Sequence, residues 1–149
     1  MRAVIQRVSR AKVEVAGGVT GEIDRGLLVY LGVGNEDTDK DAEFIAEKLV
    51  HLRIFADAKG KMNLSVGDVG GKILLVSQFT LYGDCRKGRR PGFDGAGEPE
   101  KAEGLYEHTV DSIRQRGIEV AMGIFAAHME VTSVNDGPVT FILDSTRLF

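Results

Sequence analysis

The chain has 149 residues, 43% of them hydrophobic and 28% charged, which is the size and balance of one folded domain rather than of a disordered, collagenous or coiled-coil chain. Twenty-two acidic against nineteen basic residues leave a net charge of -3; this argues against a protein that grips nucleic acid over its whole surface and leaves a local basic patch open. The single cysteine, Cys85, has no internal disulfide partner, the start Met1-Arg2-Ala3-Val4 lacks the apolar region of a secretory signal, and no apolar run approaches the roughly 20 residues that span a bilayer. A cytoplasmic protein without a membrane partner is expected.

Ala3 to Val8 and Lys12 to Val15 alternate apolar and polar residues up to Gly17-Gly18, and Val19 to Ile23 resumes the alternation, the pattern of a β-hairpin. Leu27 to Val33 is a continuous apolar run suited to a strand buried on both faces. Thr38, with Asp41 three residues on, opens a helix whose apolar positions are Ala42, Ile45, Ala46, Leu49 and Leu52. Ser65 to Gly71 is rich in turn residues, and Lys72 to Val76 reads as a second buried strand. From Gly83 to Gly97 the glycine-rich chain reads as a surface loop carrying Arg86, Lys87, Arg89 and Arg90. Pro99 starts a second helix with Ala102, Leu105, Tyr106, Thr109, Val110 and Ile113 on one face and Gly117 as its stop. Ile118 to Phe125, Glu130 to Val134 and Val139 to Leu143 supply further strands, the last two separated by a turn at Asn135-Asp136-Gly137-Pro138. The sum is a single α/β domain over residues 1–149, two amphipathic helices packed on a mixed sheet.

Common chemical sites fail on their own terms. Gly67 to Lys72 resembles a phosphate loop, but Ile73 stands where a magnesium-binding hydroxyl is required. His51, His108 and His128 have no second ligand at metal spacing, and there is no Gly-x-Ser-x-Gly elbow. Cys85 beside arginines is either an activated thiol or an incidental loop residue. Two segments stand out. Ser77-Gln78-Phe79-Thr80-Leu81-Tyr82 follows a buried strand, so its hydroxyls and N–H groups either cradle an oxyanion or mark a strand that turns polar as it surfaces. Asn135 to Thr140 is either a hairpin turn or a rigid feature built on the Gly137-Pro138 bond.

At these segments the chain resembles the D-aminoacyl-tRNA deacylases, whose signatures Ser-Gln-x-x-Leu-Tyr and Gly-Pro-Val-Thr stand unbroken at Ser77 to Tyr82 and Gly137 to Thr140. The likeness runs from Met1 to Val8 through Arg89-Arg90-Pro91-Gly92-Phe93 to the C-terminus. One departure is Ala126, in Phe125-Ala126-Ala127-His128-Met129, where the family carries glycine; Phe125 and Met129 match. The resemblance implies a barrel-like core, and hydrolysis of the ester between a D-amino acid and the terminal adenosine of tRNA, a proofreading step of translation. It further implies a cytoplasmic homodimer with no metal or organic cofactor. In it Gly137 and Pro138 enter the partner's site, their carbonyls holding the substrate's amino group while the turn rejects L side chains. Gln78 and Phe79 then offer backbone N–H groups to the oxyanion, and Thr80 acts either as nucleophile or by positioning substrate or water. Ser77, Phe125 and Met129 belong to the substrate pocket, Arg7 braces the Gly-Pro loop, and Arg86, Lys87, Arg89 and Arg90 meet tRNA phosphates. Two other readings remain at this stage: an RNA-binding module without catalysis, and a structural dimer latched by the Gly-Pro turn.

Overall fold

The computed structural model describes residues 1–148. Strand β1 (Arg2–Val15) is a single long strand rather than two short ones. It turns at Ala16 and Gly17, both at positive φ, into β2 (Gly18–Ile23), the backbone of a two-residue hairpin turn whose twist matches that of its strands. Strand β3 (Gly26–Gly32) continues antiparallel to β1, pairing Val8 with Gly26 and Arg2 with Gly32. Strand β6 (Lys72–Ser77) lies parallel to β3, and β7 (Val120–Met122) lies parallel to β6. Between β3 and β6 come helix α1 (Asp39–His51) and a small ribbon of β4 (Phe55–Ala56) and β5 (Met62–Leu64). Helix α2 (Pro99–Gln115) connects β6 to β7, as parallel neighbours require. The chain closes with β8 (Glu130–Asp144).

The sheet order is β2-β1-β3-β6-β7, with β8 on the other edge of β1. It curls until β2 approaches β7: a Cβ on Gly21 would collide with the backbone of Met122. The sheet is thus a nearly closed barrel, and glycine is needed where its two ends meet. Both buried runs expected from the sequence are central strands, with Leu27, Leu28, Val29, Ile73, Leu74 and Leu75 fully buried. Both helices start where the sequence places them. The Asp41 carboxylate accepts the Thr38 N–H at 2.8 Å, and Pro99 occupies the first turn of α2. The apolar positions predicted for α2 are all buried, and Gly117 ends it at φ +86°.

The final strands differ from expectation. Glu130–Asp144 is one strand, not two joined by a hairpin turn, because residues on both sides of Gly137-Pro138 pair with the same strand in the same sense: Val8 with Asn135 and Gln6 with Thr140. Asp136 to Val139 therefore bulge out opposite Arg7 alone. Only Val120–Met122 of the segment Ile118 to Phe125 is strand.

Two polar clusters join the layers. The Met1 ammonium is fully buried and meets Asp37 Oδ1 at 2.6 Å. The other Asp37 oxygen accepts the Gly34 N–H and, at 3.1 Å, the Tyr82 hydroxyl. Between the helices, Glu43 accepts His108 Nε2 at 2.8 Å and both Ser112 Oγ and Arg116 Nη2 at 2.9 Å. These donors, His108 foremost, hold the Glu43 carboxyl down at about 2 from its ordinary 4.5.

Breaking one half of a buried ion pair leaves the other charge uncompensated. Asp37→Asn is expected to destabilise the protein by about 3 kcal/mol, measured by urea unfolding at pH 7. The Glu43 cluster is partly exposed, so its contribution is screened, but its sign is fixed. A depressed carboxyl stabilises above its unfolded value and loses that contribution as pH falls from about 4.5 to about 2. The gap between the urea midpoints of wild type and Glu43→Gln should close over that interval; a constant gap would contradict it.

Candidate active site

The parallel strands β3, β6 and β7 point their C-terminal ends the same way, and ligands of α/β sheets bind beyond such ends. A cavity of about 510 Å³ opens there. Leu31, Val33, Val76 and Ser77 form its floor, Ala96, Gly97, Pro99, Ala102 and Tyr106 one wall, and the segment from Phe125 to Met129 the other. The wall from α2 was not singled out by sequence: Tyr106 sits in a stripe of helical spacing that reads as ordinary core. Its hydroxyl donates to Leu75 O at 2.7 Å, and burial pushes its pKa up, so it stays a neutral phenol.

Beyond Ser77 the chain turns through a 3-10 helix at Phe79–Tyr82. Gly32 and Gly34 make room for it. A Cβ on Gly32 would stand 2.9 Å from Gln78 O, and one on Gly34 would stand 2.7 Å from the Tyr82 ring. The first N–H groups of a helical turn lack partners within it. Gln78 N–H donates to Leu31 O at 2.8 Å and is thereby used, whereas Phe79 and Thr80 N–H have no backbone acceptor among the described residues. The free donor pair is thus displaced by one residue from the pair Gln78 and Phe79 expected from the sequence. The Gln78 side-chain amide donates to Thr80 Oγ1.

Ser77, Gln78, Phe79, Phe125 and Met129 come together at this cavity. Arg7, Gly137 and Pro138 do not line it; they form a separate cluster on β1 and β8. Arg7 donates to Ile54 O at 2.7 Å and to Asp136 O at 3.1 Å, and its guanidinium lies 3.3 Å from the Asp136 carboxylate. It is therefore no free surface arginine: it ties the bulge to the segment after α1. The Gly137-Pro138 peptide is cis, and Gly137 sits at φ +136°. A Cβ there would stand 2.7 Å from Val139 Cγ2 and 3.2 Å from Arg7 Nη2, so only glycine fits.

The basic loop is pinned by paired backbone bonds between Asp84 and Gly92, at 2.7 and 3.0 Å. Arg86 grips Asp84 with Nε and Nη2 at 2.8 and 2.6 Å, which pushes the carboxyl far below its usual range. Its charge is thus offset within the loop. Lys87, Arg89 and Arg90 are exposed and make no ion pair among the described residues. His128, set aside as a metal ligand, lines the cavity's edge; among the described residues no three His, Cys, Asp or Glu side chains gather as a metal would need.

The family model for D-Tyr-tRNA(Tyr) deacylase matches residues 4–144. The chain belongs to that family. It is 60% identical to the D-aminoacyl-tRNA deacylase of Anaeromyxobacter dehalogenans and 58% identical to that of Thermotoga petrophila, each over all of both chains. Among solved structures it resembles the c-Myc DNA Unwinding Element Binding Protein, with a TM-score of 0.91 and 44% identity over 97% of this chain and 98% of that one. A probable eukaryotic D-amino acid tRNA deacylase shares the fold, with a TM-score of 0.85 at 18% identity over 95% and 97% of the two chains.

The one departure from the family signature now has a structural meaning. Ala126 stands at φ +62°, a left-handed conformation that glycine adopts freely and alanine does not. Ala126→Gly is expected to raise stability by about 0.5 kcal/mol, since relief of the left-handed strain exceeds the added chain entropy of glycine. A fall in the thermal midpoint would show instead that the Ala126 methyl packs usefully against the cavity wall.

Proposed function

We propose that this deacylase hydrolyses the ester joining a D-amino acid, or glycine, to the 3′-terminal adenosine of tRNA, and that it works as a cytoplasmic homodimer. The observation that carries the chemistry is the pair of successive N–H groups on Phe79, which lines the cavity, and Thr80, the next residue of the turn, neither of which has a backbone acceptor among the described residues. Such donors suit the oxyanion that forms when water adds to an ester carbonyl, and each is worth about 3 kcal/mol in known cases. As the tetrahedral adduct collapses, the bond to the ribose oxygen breaks and that oxygen takes up a proton. Thr80 is a poor nucleophile here. Its oxygen accepts from the Gln78 amide, and among the described residues neither His128 at the cavity nor any carboxylate is hydrogen-bonded to it to take its proton. Its role is to position water or substrate, with the substrate's own 2′-hydroxyl available to move the proton. Ser77, Phe125 and Met129 shape the pocket.

Chirality enters through the bulge on β8. Gly137 and Pro138 stand away from their own cavity, on a strand whose outer edge is unpaired among the described residues and whose Val134, Phe141 and Ile142 are exposed. A second copy docked on this strand buries these side chains, and two-fold symmetry then offers each bulge to the other subunit. Carbonyls of Gly137 and Pro138 can accept hydrogen bonds from the substrate's ammonium while the bulge fills the space an L side chain needs. A D side chain points away, and glycine has none to reject. Lys87, Arg89 and Arg90 meet phosphates without reading sequence.

The test is amino acid release from D-Tyr-tRNA, L-Tyr-tRNA and Gly-tRNA, alongside light scattering for the dimer. Release from the D and glycyl substrates with the L substrate spared is expected, with Thr80→Ala keeping activity within about tenfold of wild type, well short of the loss that follows removal of a covalent nucleophile. Gly137→Ala, strained at φ +136°, is expected to lose at least about a hundredfold, the scale of a misplaced substrate-positioning group. A folded protein that binds tRNA and releases nothing would move the reading to an RNA-binding module.

A further inference from the structure

An apolar feature at the cavity mouth is left unused by the hydrolytic chemistry. Phe79 is 57% exposed and Phe93 is 38% exposed, and their rings meet edge to face with centroids 5.0 Å apart. Both rings are held out by backbone. Phe79 is the first residue of the 3-10 turn after β6. Phe93 directly follows the Asp84–Gly92 bridge, and its carbonyl accepts the Ala96 N–H at 2.9 Å. The same loop carries at its tip Lys87, Arg89 and Arg90, which make no ion pair among the described residues. The turn and the loop together thus present an aromatic pair at Phe79, which lines the cavity, and the loop adds exposed cations at its tip.

We infer that Phe79 and Phe93 form a stacking platform for a base of the single-stranded 3′ end of tRNA, upstream of the esterified adenosine, with Lys87, Arg89 and Arg90 on the flanking phosphates. The inference rests on the deacylase reading and extends it from the ester to the RNA that carries it. Aromatic rings beside a cationic track are the elements that hold single strands, because every base has a π-face and every linkage a negative charge. Neither element reads sequence. The platform therefore fits the single-stranded end common to all tRNAs, and a deacylase that must act on many tRNAs needs this kind of grip. A phospholipid surface would meet the cations but would leave the edge-to-face pair without a matching partner, so nucleic acid is the occupant that fits both elements.

The experiment compares two substrates with the same ester, intact D-Tyr-tRNA and D-tyrosyl adenosine, which has no upstream base. Phe93→Leu keeps apolar bulk without a π-face and should raise KM for D-Tyr-tRNA about tenfold, the scale of one lost base stack, with kcat nearly unchanged. On D-tyrosyl adenosine the same variant should stay within about twofold of wild type, the stack being worth nothing where no upstream base exists. Phe93→Tyr should restore the wild-type KM. Replacing Lys87, Arg89 and Arg90 together with alanine should flatten the salt dependence of KM for D-Tyr-tRNA. Equal KM values for wild type and Phe93→Leu on D-Tyr-tRNA would overturn the platform, as would an equal loss on both substrates, which would assign Phe93 to supporting the cavity. A wild type inactive on both substrates would instead overturn the deacylase reading itself.

Discussion

A buried ammonium facing a single carboxylate organises this molecule. Desolvating the Met1 ammonium is costly, and Asp37 offsets that cost at 2.6 Å while Ser145 Oγ supplies a second acceptor. The chain start is thereby fixed to the residues just before α1. Asp37 also holds the Gly34 N–H at the end of β3 and the Tyr82 hydroxyl at the end of the 3-10 turn. Burial and the neighbouring carboxylate both push the Tyr82 pKa up, so the phenol remains a donor. Arg2 closes the ring, with its guanidinium 4.5 Å from the Tyr82 ring centroid and a bond of 3.1 Å to Leu81 O. The turn that offers the Phe79 and Thr80 N–H groups is thus braced from behind by charges that never enter the cavity.

That bracing explains how a site can be built from main chain. Side chains donate wherever their rotamers allow, but an N–H points only where the backbone puts it. Gly32 and Gly34 let the turn approach β3 closely, and the Gln78 N–H is tied to Leu31 O. What remains without a backbone acceptor among the described residues is two successive donors whose direction the main chain sets. The bulge on β8 follows the same logic. Arg7, Ile54 O, Asp136 and the Asn135 side chain, which accepts the Val139 N–H at 3.1 Å, hold the bulge in place.

Much of the fold was legible in local pattern. The Thr38 to Asp41 capping box, the apolar stripe of α2 and the unbroken runs of β3 and β6 are short-range signals, and each element lies where its signal stands. Three features depended on partners distant in sequence. Asn-Asp-Gly-Pro has the chemistry of a hairpin turn, and only its pairing to β1 on both sides makes it a bulge. Which of Gln78, Phe79 and Thr80 has a free N–H turns on Leu31, some 50 residues earlier. Tyr106 reads as core because it is core; that its buried ring also walls a cavity follows from where β6 ends. Arg86 is a different case: its partner Asp84 stands only two residues away, and the basic cluster alone does not reveal that this neighbour has taken one of its members.

The turn after β6 and the bulge on β8 differ in how each tolerates change. The aim of the Phe79 and Thr80 N–H groups depends only on the main-chain path of the turn, which leaves the Phe79 ring free to face solvent. The bulge has no such freedom: Gly137 at φ +136° admits no side chain, and Val139 and Arg7 crowd the space where a Cβ would stand. Between these extremes stands Ala126, which keeps a left-handed backbone at the cavity wall in spite of its methyl group. The wall there is therefore set by the path of the chain between β7 and β8 and not by the residue's own preference, the relation expected when surrounding structure over-determines a local conformation.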